Sequence, residues 1–284
     1  MPILVDYSQV FISNLMQQPG IRDGVEEDLV RHMVLNSLRS YRKKFKEDYG
    51  ELIICCDNKK YWRKDIFPYY KSHRKANRKQ SDFDWNEIFT CLNKVKAELI
   101  DNFPYLVFEV ENVEADDIIA VYCMEYDGSK LILSGDKDFV QLQSFKDYPT
   151  EVHQYNPMKK AFIYEKHPEK YLRQHIMRGD RGDGIPNFLS DDDCFVNGGR
   201  QKPLRSGQLE KWSEIEDPAV FCDQEMLRGY RRNEMLVDLT KIPDEIKNKI
   251  IQVVDETKEI DRSKIFPYFV QHKLKNLTEY IHEF

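Results

Sequence analysis

Residues 131–142, LILSGDKDFVQL, run from three apolar side chains into Ser-Gly and then two aspartates, Asp136 and Asp138, separated by Lys137. A short continuous apolar run closed by turn residues reads as a strand buried on both faces. A carboxylate pair at the end of such a strand is costly unless something neutralises it. The pattern recurs. PILVD (2–6) ends at Asp6, and ELIICCD (51–57) ends at Asp57. YLVFEVE (105–111) is a further strand. Between these runs lie helical patterns at 24–45, 85–103 and 113–126, the last opening with acids where the helix dipole favours them. Strands alternating with helices predict βαβ units and an α/β fold: a mainly parallel, twisted sheet flanked by helices. From about residue 165 the segments turn polar and helical: 168–177, 217–239, 243–256 and 263–284, with 189–208 as a loop. The reading is therefore two domains, 1–175 and a mostly helical C-terminal domain, 176–284.

Composition bounds the function. The chain of 284 residues carries a formal net charge of −6, which argues against a simple nucleic-acid coat. The charge is segregated, however. Residues 59–79 hold nine Lys or Arg and one acid, whereas 101–117 hold six acids and no Lys or Arg. Segregation of that kind gives a local positive field despite a negative total. The six cysteines include no C-x-x-C pair, so neither a zinc knuckle nor a disulfide framework is expected. The N-terminus lacks signal-peptide character and no apolar run nears membrane-spanning length. A cytoplasmic monomer with no membrane association is expected.

In an open parallel sheet, ligands sit at the carboxyl ends of the strands, so Asp6, Asp57 and Asp136 are expected to converge. EADD adds Glu114, Asp116 and Asp117, with Glu114 and Asp117 on one helix face. RGDRGDGIPN (178–187) adds Asp180 and Asp183. With Asp138 the candidates number nine. Converging carboxylates raise one another's pKa, and hard divalent cations relieve the repulsion. All-oxygen ligand sets suit Mg²⁺ or Mn²⁺, and two such ions about 3.5–4 Å apart form a phosphodiester-cleaving centre. The seven histidines are scattered outside these motifs, and no G-x-x-x-x-G-K-[ST] loop suggests an NTPase.

The motifs VEADD, SGDKDFVQL and RGDRGDGIP, in that order along the chain, resemble the signatures of the 5′ nucleases, the flap-endonuclease superfamily that includes the 5′-nuclease domains of bacterial DNA polymerases. LVDYSQ (4–9), CCDNKKYWRKDIFPYYKSHR (55–74), YNPMKKAF (155–162) and the closing KIFPYFV segment extend the resemblance over essentially the whole chain. It implies a PIN-like 5′-nuclease core. It implies a first metal at Asp6, Asp57, Asp116 and Asp136, with Glu114 close to it, and a second surrounded by Asp138, Asp180 and Asp183. Asp117 is either a ligand or a helix cap. Lys137 either neutralises part of this charge or projects into solvent. Two Mg²⁺ ions are expected as cofactors, with Mn²⁺ substituting.

YWRKDIFPYYKSHRKANRK (61–79) interleaves cations with aromatics. Cations contact phosphates, and aromatic faces stack on unpaired bases. Arg63, Lys64, Lys71, Arg74, Lys75, Arg78 and Lys79 are the candidate contacts, while Trp62 and Phe67 read as core. The segment, about 59–85, is similar to the family's arch over a single-stranded 5′ end. The resemblance places Lys71 and Arg74 at the scissile phosphate, alongside Asp136 and Asp138 as catalytic candidates, and Tyr70 as a stacking ring. RGDRGDGIPN opens a helix-hairpin-helix-like, duplex-gripping element in the family. Here it continues FLSDDDCFVNGGRQKPLRSG, so a potassium site is in doubt and Arg200, Lys202 and Arg205 are left as duplex contacts. LKNLTEYIHEF (274–284) is either a packed terminal helix or a docking segment for a replication partner such as a single-strand-binding protein or sliding clamp. The implied activity is a 5′ to 3′ exonuclease and flap endonuclease on RNA–DNA hybrids and 5′-tailed duplexes, acting in primer removal. A PIN-type RNA endonuclease and a non-catalytic structure-specific DNA-binding protein are the alternatives.

Overall fold

The computed structural model describes residues 1–145, 151–258 and 261–284. Its frame is a six-stranded sheet in the order β3-β2-β1-β4-β5-β6. The strands are β1 (Ile3–Asp6), β2 (Leu52–Cys56), β3 (Leu106–Glu109), β4 (Lys130–Leu133), β5 (Val152–Asn156) and β6 (Ala161–Ile163). β1 to β5 are parallel and β6 is antiparallel to β5. The first four are the apolar runs read from sequence. β5 and β6 are an addition. β5, VHQYN, is polar at His153, Gln154 and Asn156, and β6 lies on the edge, largely exposed.

The helices are α1 (Tyr7–Leu15), α2 (Glu27–Tyr49), α3 (Arg63–Ile66), α4 (Arg74–Gln80), α5 (Trp85–Asn102), α6 (Ala115–Glu125), α7 (Pro168–Arg178), α8 (Ser206–Ser213), α9 (Gln224–Val237), α10 (Asp244–Glu256), α11 (Ile265–Gln271) and α12 (Lys275–Thr278). Crossovers in parallel sheets put helices on both faces. One face packs Val5, Ile54 and Leu133 against α1, α2 and α5. The other packs Leu4, Ile53 and Ile132 against α6 and α10. A third apolar cluster joins α7, α8 and α9 to Phe67 and Tyr70.

A division at residue 175 falls inside α7, and the chain beyond it returns to both sheet faces. Ile250 of α10 is buried under one face. Tyr268, Phe269, Leu277 and Phe284 complete the other, where Phe284 packs 5.8 Å from the Phe103 ring and 5.2 Å from Phe269. Leu274, Leu277 and Phe284 thus anchor the 274–284 segment in the core, the packed-terminal-helix alternative. Trp62 and Phe67 are buried, as their aromatic character suggests. Among the described residues, no helix is long and apolar enough to cross a membrane.

Candidate metal centre and nucleic-acid interface

β1 lies between β2 and β4, where the strand order reverses. Asp6 pairs with Cys55, and Val5 with Leu133, so Asp6, Asp57 and Asp136 leave three adjacent strands at the same rim. Such a switch point opens a crevice by topology alone. Local bonds then aim each carboxylate. Asp6 caps α1, accepting from the Gln9 amide at 3.1 Å, and accepts from Ser134 Oγ at 3.2 Å across to β4. Asp57 accepts from Ser8 Oγ at 2.7 Å and from the Ala115 amide at 2.9 Å, which brings the start of α6, and with it Asp116, to the rim. Asp136 caps the 3₁₀ turn Lys137–Ser144, accepting from the Asp138 amide at 3.0 Å.

The Ser-Gly-Asp turn is held by residues with no motif of their own. Gln154, fully buried on β5, donates through Nε2 to the carbonyls of Ser134 (3.0 Å) and Asp136 (2.6 Å). Gln9 Oε1 accepts from the Gly135 amide. A Cβ at Gly135 would lie 2.6 Å from Asn156 Nδ2, so glycine permits the close approach.

Crowding without a cation leaves Asp6, Asp116 and Asp138 protonation-prone. Burial, then Asp57 and Asp136, push Asp6 up to about 7. Burial, then Asp136, push Asp138 up to about 7 as well. Burial and the charges of Asp136, Asp6 and Asp57 push Asp116 well above its usual range. Asp138 Oδ1 is buried with no hydrogen-bond partner. A divalent cation supplies what these oxygens lack, so the residues present fit one. The folded pKa values of Asp6 and Asp138 lie above the ordinary aspartate value, so the folded state binds more protons than the unfolded state between about pH 4 and 7. Their contribution to stability is present below about pH 4 and is lost as pH rises through about 7. The metal-free protein should therefore gain more Tm from saturating Mg²⁺ at about pH 8 than at about pH 5. Thermal melts in EDTA and in Mg²⁺ at both pH values check this; an equal gain at both would count against the crowding.

A second group adjoins the first. Asp138, His175 and Asp180 present ligand atoms that all lie within 4.8 Å of one another. Gly179, at φ 65, ends α7 where a Cβ would meet the carbonyls of Ile185 and Pro186 at 2.4 Å, so the 180–186 loop folds back tightly on the helix end. Asp180 accepts from the Gly182 amide at 2.6 Å, and Lys137 Nζ lies 2.8 Å from its Oδ2. Burial alone would raise the Asp180 carboxyl; His175 and Lys137 instead hold it far below its usual range. Of the two readings of Lys137, neutralisation is the one its position supports.

Asp183 meets the basic segment. Arg74 Nη2 is 2.5 Å from its Oδ1, and Tyr70 OH donates to its Oδ2 at 3.0 Å. Lys71 Nζ is 3.6 Å from the same carboxylate and also pairs with Glu114. Lys71 sits at φ 53, a left-handed conformation costly for a lysine and usually retained where surroundings enforce it. Lys64, Lys75, Lys79, Arg200, Lys202 and Arg205 are exposed. The loop bearing the last three is pinned by Asn187, which donates to the Lys202 carbonyl at 2.8 Å. Arg78 lies over the Trp85 and Phe89 rings. With Asp57, Tyr61, Arg74, Trp85 and Phe89 it lines a cleft of about 520 Å³ beside the rim.

Four sequence readings change. Arg63 is not a surface contact: it is buried, 2.9 Å from Glu114 and 2.7 Å from Asp117, with Nε donating to the Leu236 carbonyl. Tyr70 is not an open stacking ring: it is 3 % exposed and its hydroxyl binds Glu114 and Asp183. Within 61–79, Tyr61 lines the cleft instead. Asp117 does not face a metal: it is fully buried and takes the Glu114 amide, Trp62 Nε1 and Arg63, which is the helix-cap alternative. His175 belongs to the acidic group, although no motif includes it. Glu114 lies beside Lys71 and Arg63; against the upward push of burial, they hold its carboxyl below the usual range.

A doubly wound sheet with carboxylates gathered at its switch point, beside a segment rich in Lys and Arg, defines the metal-dependent nuclease class of α/β protein. The family model of the 5′-3′ exonuclease N-terminal resolvase-like domain matches residues 8–172, and that of the T4 RNase H C-terminal region matches 167–284. Ribonuclease H of Enterobacteria phage T4 is 33% identical over 293 residues, covering 99% of this chain and 95% of that protein. A 5′-3′ exonuclease of Streptomyces coelicolor is 29% identical over 156 residues, 50% of this chain and 52% of its own. A phage T5 protein co-crystallised with metal ions superposes with a TM-score of 0.65 at 15% identity, covering 89% of this chain and 98% of its own. A phage T5 flap endonuclease in a pseudo-enzyme–product complex with DNA and metal ions gives 0.58 at 17%, covering 90% and 99%. The chain belongs to the 5′-3′ exonuclease family.

Proposed function

We propose that the protein is a divalent-metal-dependent 5′ to 3′ exonuclease and flap endonuclease that removes RNA primers and 5′ DNA flaps during DNA replication. The observation that carries this reading is the pair of adjoining carboxylate groups directly beneath Lys71 and Arg74. Whole-length similarity to the phage T4 ribonuclease H supports it. Asp6, Asp57, Asp116 and Asp136 would hold one ion; Asp138 and Asp180, with Asp183 once its arch partners release it, would hold a second. When bound, divalent ions supply Lewis acidity and a water of lowered pKa. The chain's own residues then do the rest. Lys71 and Arg74 exchange Asp183 and Glu114 for the scissile phosphate and stabilise its developing charge. The 520 Å³ cleft, with Tyr61, Trp85 and Phe89 as faces and Arg78 as a cation, takes the unpaired strand. Exposed Lys64, Lys75, Lys79, Arg200, Lys202 and Arg205 contact the duplex backbone. The products are a 5′-phosphate and a 3′-hydroxyl. Labelled 5′-flap DNA and a nicked RNA–DNA duplex test the reading: Mg²⁺-dependent cleavage of both, abolished by EDTA, is expected. Failure to cut either with Mg²⁺ would overturn it.

A further inference from the structure

His175 lies one turn before the end of α7, is 6 % exposed, and is held edge-on against the Tyr171 ring. Its two ring nitrogens face two different carboxylates. Nδ1 is 3.5 Å from Asp138 Oδ1 and Nε2 is 3.6 Å from Asp180 Oδ2. Nε2 is buried and has no hydrogen-bond partner; neither has Asp138 Oδ1. Buried polar atoms are nearly always satisfied, so an aimed, unpartnered imidazole nitrogen between carboxylates calls for a ligand. The spacing suits one. Nitrogen and oxygen ligands each about 2.1 Å from a shared ion stand about 3–4 Å apart. Asp183, the remaining acid of this group, is occupied by Arg74, Tyr70 and Lys71, which leaves the group short of a ligand on that side. Lys137 Nζ stands beside Asp180; its side chain is half-exposed and free to swing away as a cation enters.

We infer that His175 is a ligand of the second cation, making that site a mixed nitrogen–oxygen centre that favours Mn²⁺ and other first-row transition ions over Mg²⁺. Nε2 completes the set with Asp138 and Asp180, the ligand atoms of the three residues lying within 4.8 Å of one another. Mg²⁺ gains little from an imidazole, whereas affinity for nitrogen donors rises along the divalent transition series. The inference rests on the reading of the carboxylates as cation ligands.

Spin-echo EPR on the full chain with two equivalents of Mn²⁺, in natural-abundance and ¹⁵N-histidine-labelled forms, tests it without any substitution. A nitrogen modulation that changes on labelling is expected. Two bound Mn²⁺ ions with no histidine modulation would overturn the inference while leaving the carboxylate reading standing; no Mn²⁺ binding at all would overturn both. Calorimetric titration of His175→Gln with each ion alone gives an independent measure. The weaker site should lose about tenfold or more in Mn²⁺ affinity and little in Mg²⁺ affinity. Equal losses for the two ions would overturn the selectivity.

Discussion

Asp136→Asn should lower single-turnover cleavage of a 5′-flap substrate by about a thousandfold or more at saturating Mg²⁺, because a charged ligand at the centre of the cluster is lost. The fold should survive. Asparagine caps a helical turn as well as aspartate does, so the bond to the Asp138 amide is kept. The charge removed is also the largest neighbouring-charge contribution to the raised pKa of Asp116 and of Asp138, after burial itself. The metal-free variant should therefore melt no lower than the parent, and should bind flap DNA in EDTA as tightly or more tightly, since phosphate no longer meets that carboxylate. Rates within tenfold of the parent, or weakened DNA binding, would remove Asp136 from the metal centre.

Arg63→Ala should destabilise the protein by about 3–5 kcal/mol, the cost of leaving buried charges without their partner. Arg63 is buried between Glu114 and Asp117 and reaches the Leu236 carbonyl, so its loss leaves Asp117 without its cation, takes one of two cations from Glu114 and cuts a link to α9. Lys64→Ala, one position on and exposed, should change stability by no more than about 0.5 kcal/mol. Denaturant unfolding of the two variants reads the contrast directly. Equal stability of both, with weaker DNA binding by Arg63→Ala alone, would return Arg63 to the nucleic-acid surface.

The legible part of this molecule was the part written in continuous apolar runs. β1, β2 and β4 are buried on both faces, and buried parallel strands announce themselves without periodicity; β3, at the sheet edge, is only partly buried but keeps an apolar run. Their shared direction then predicts the convergence of Asp6, Asp57 and Asp136 before any coordinate is seen. β5 was hidden because its central residue, Gln154, is spent on holding the Ser-Gly-Asp turn, which breaks the apolar run. Inside the basic stretch, sequence cannot tell which cation turns inward. Arg63 and Lys64 are adjacent and chemically alike, yet the partners that bury Arg63 are 51 and 54 positions away. His175 was illegible for the same reason: α7 carries it to the 3₁₀ turn after β4, a juxtaposition set by tertiary packing and by no local spacing.

The closing segment carries a consequence for how the protein comes to be. Arg39 pairs with Glu283, and Arg42 donates to the Glu283 carbonyl, across 244 and 241 positions. Phe284 seals a pocket of rings begun by Phe103 and Phe269. One flank of the sheet, packed by α1, α2 and α5, is thus closed by residues synthesised 241 and 244 positions after the arginines they pair with. At equilibrium such a long closure costs little more than a short one, about 0.6 kcal/mol for each doubling of the loop. In time it costs more, because distant contacts must wait for their partner and slow the approach to the native state. On the ribosome, α1, α2 and α5 can cover that flank early, while Phe103 waits for Phe269 and Phe284 until this segment is translated. The other flank divides its cover in the same way: α6 follows β3 directly in the chain, whereas α10 arrives more than a hundred residues later.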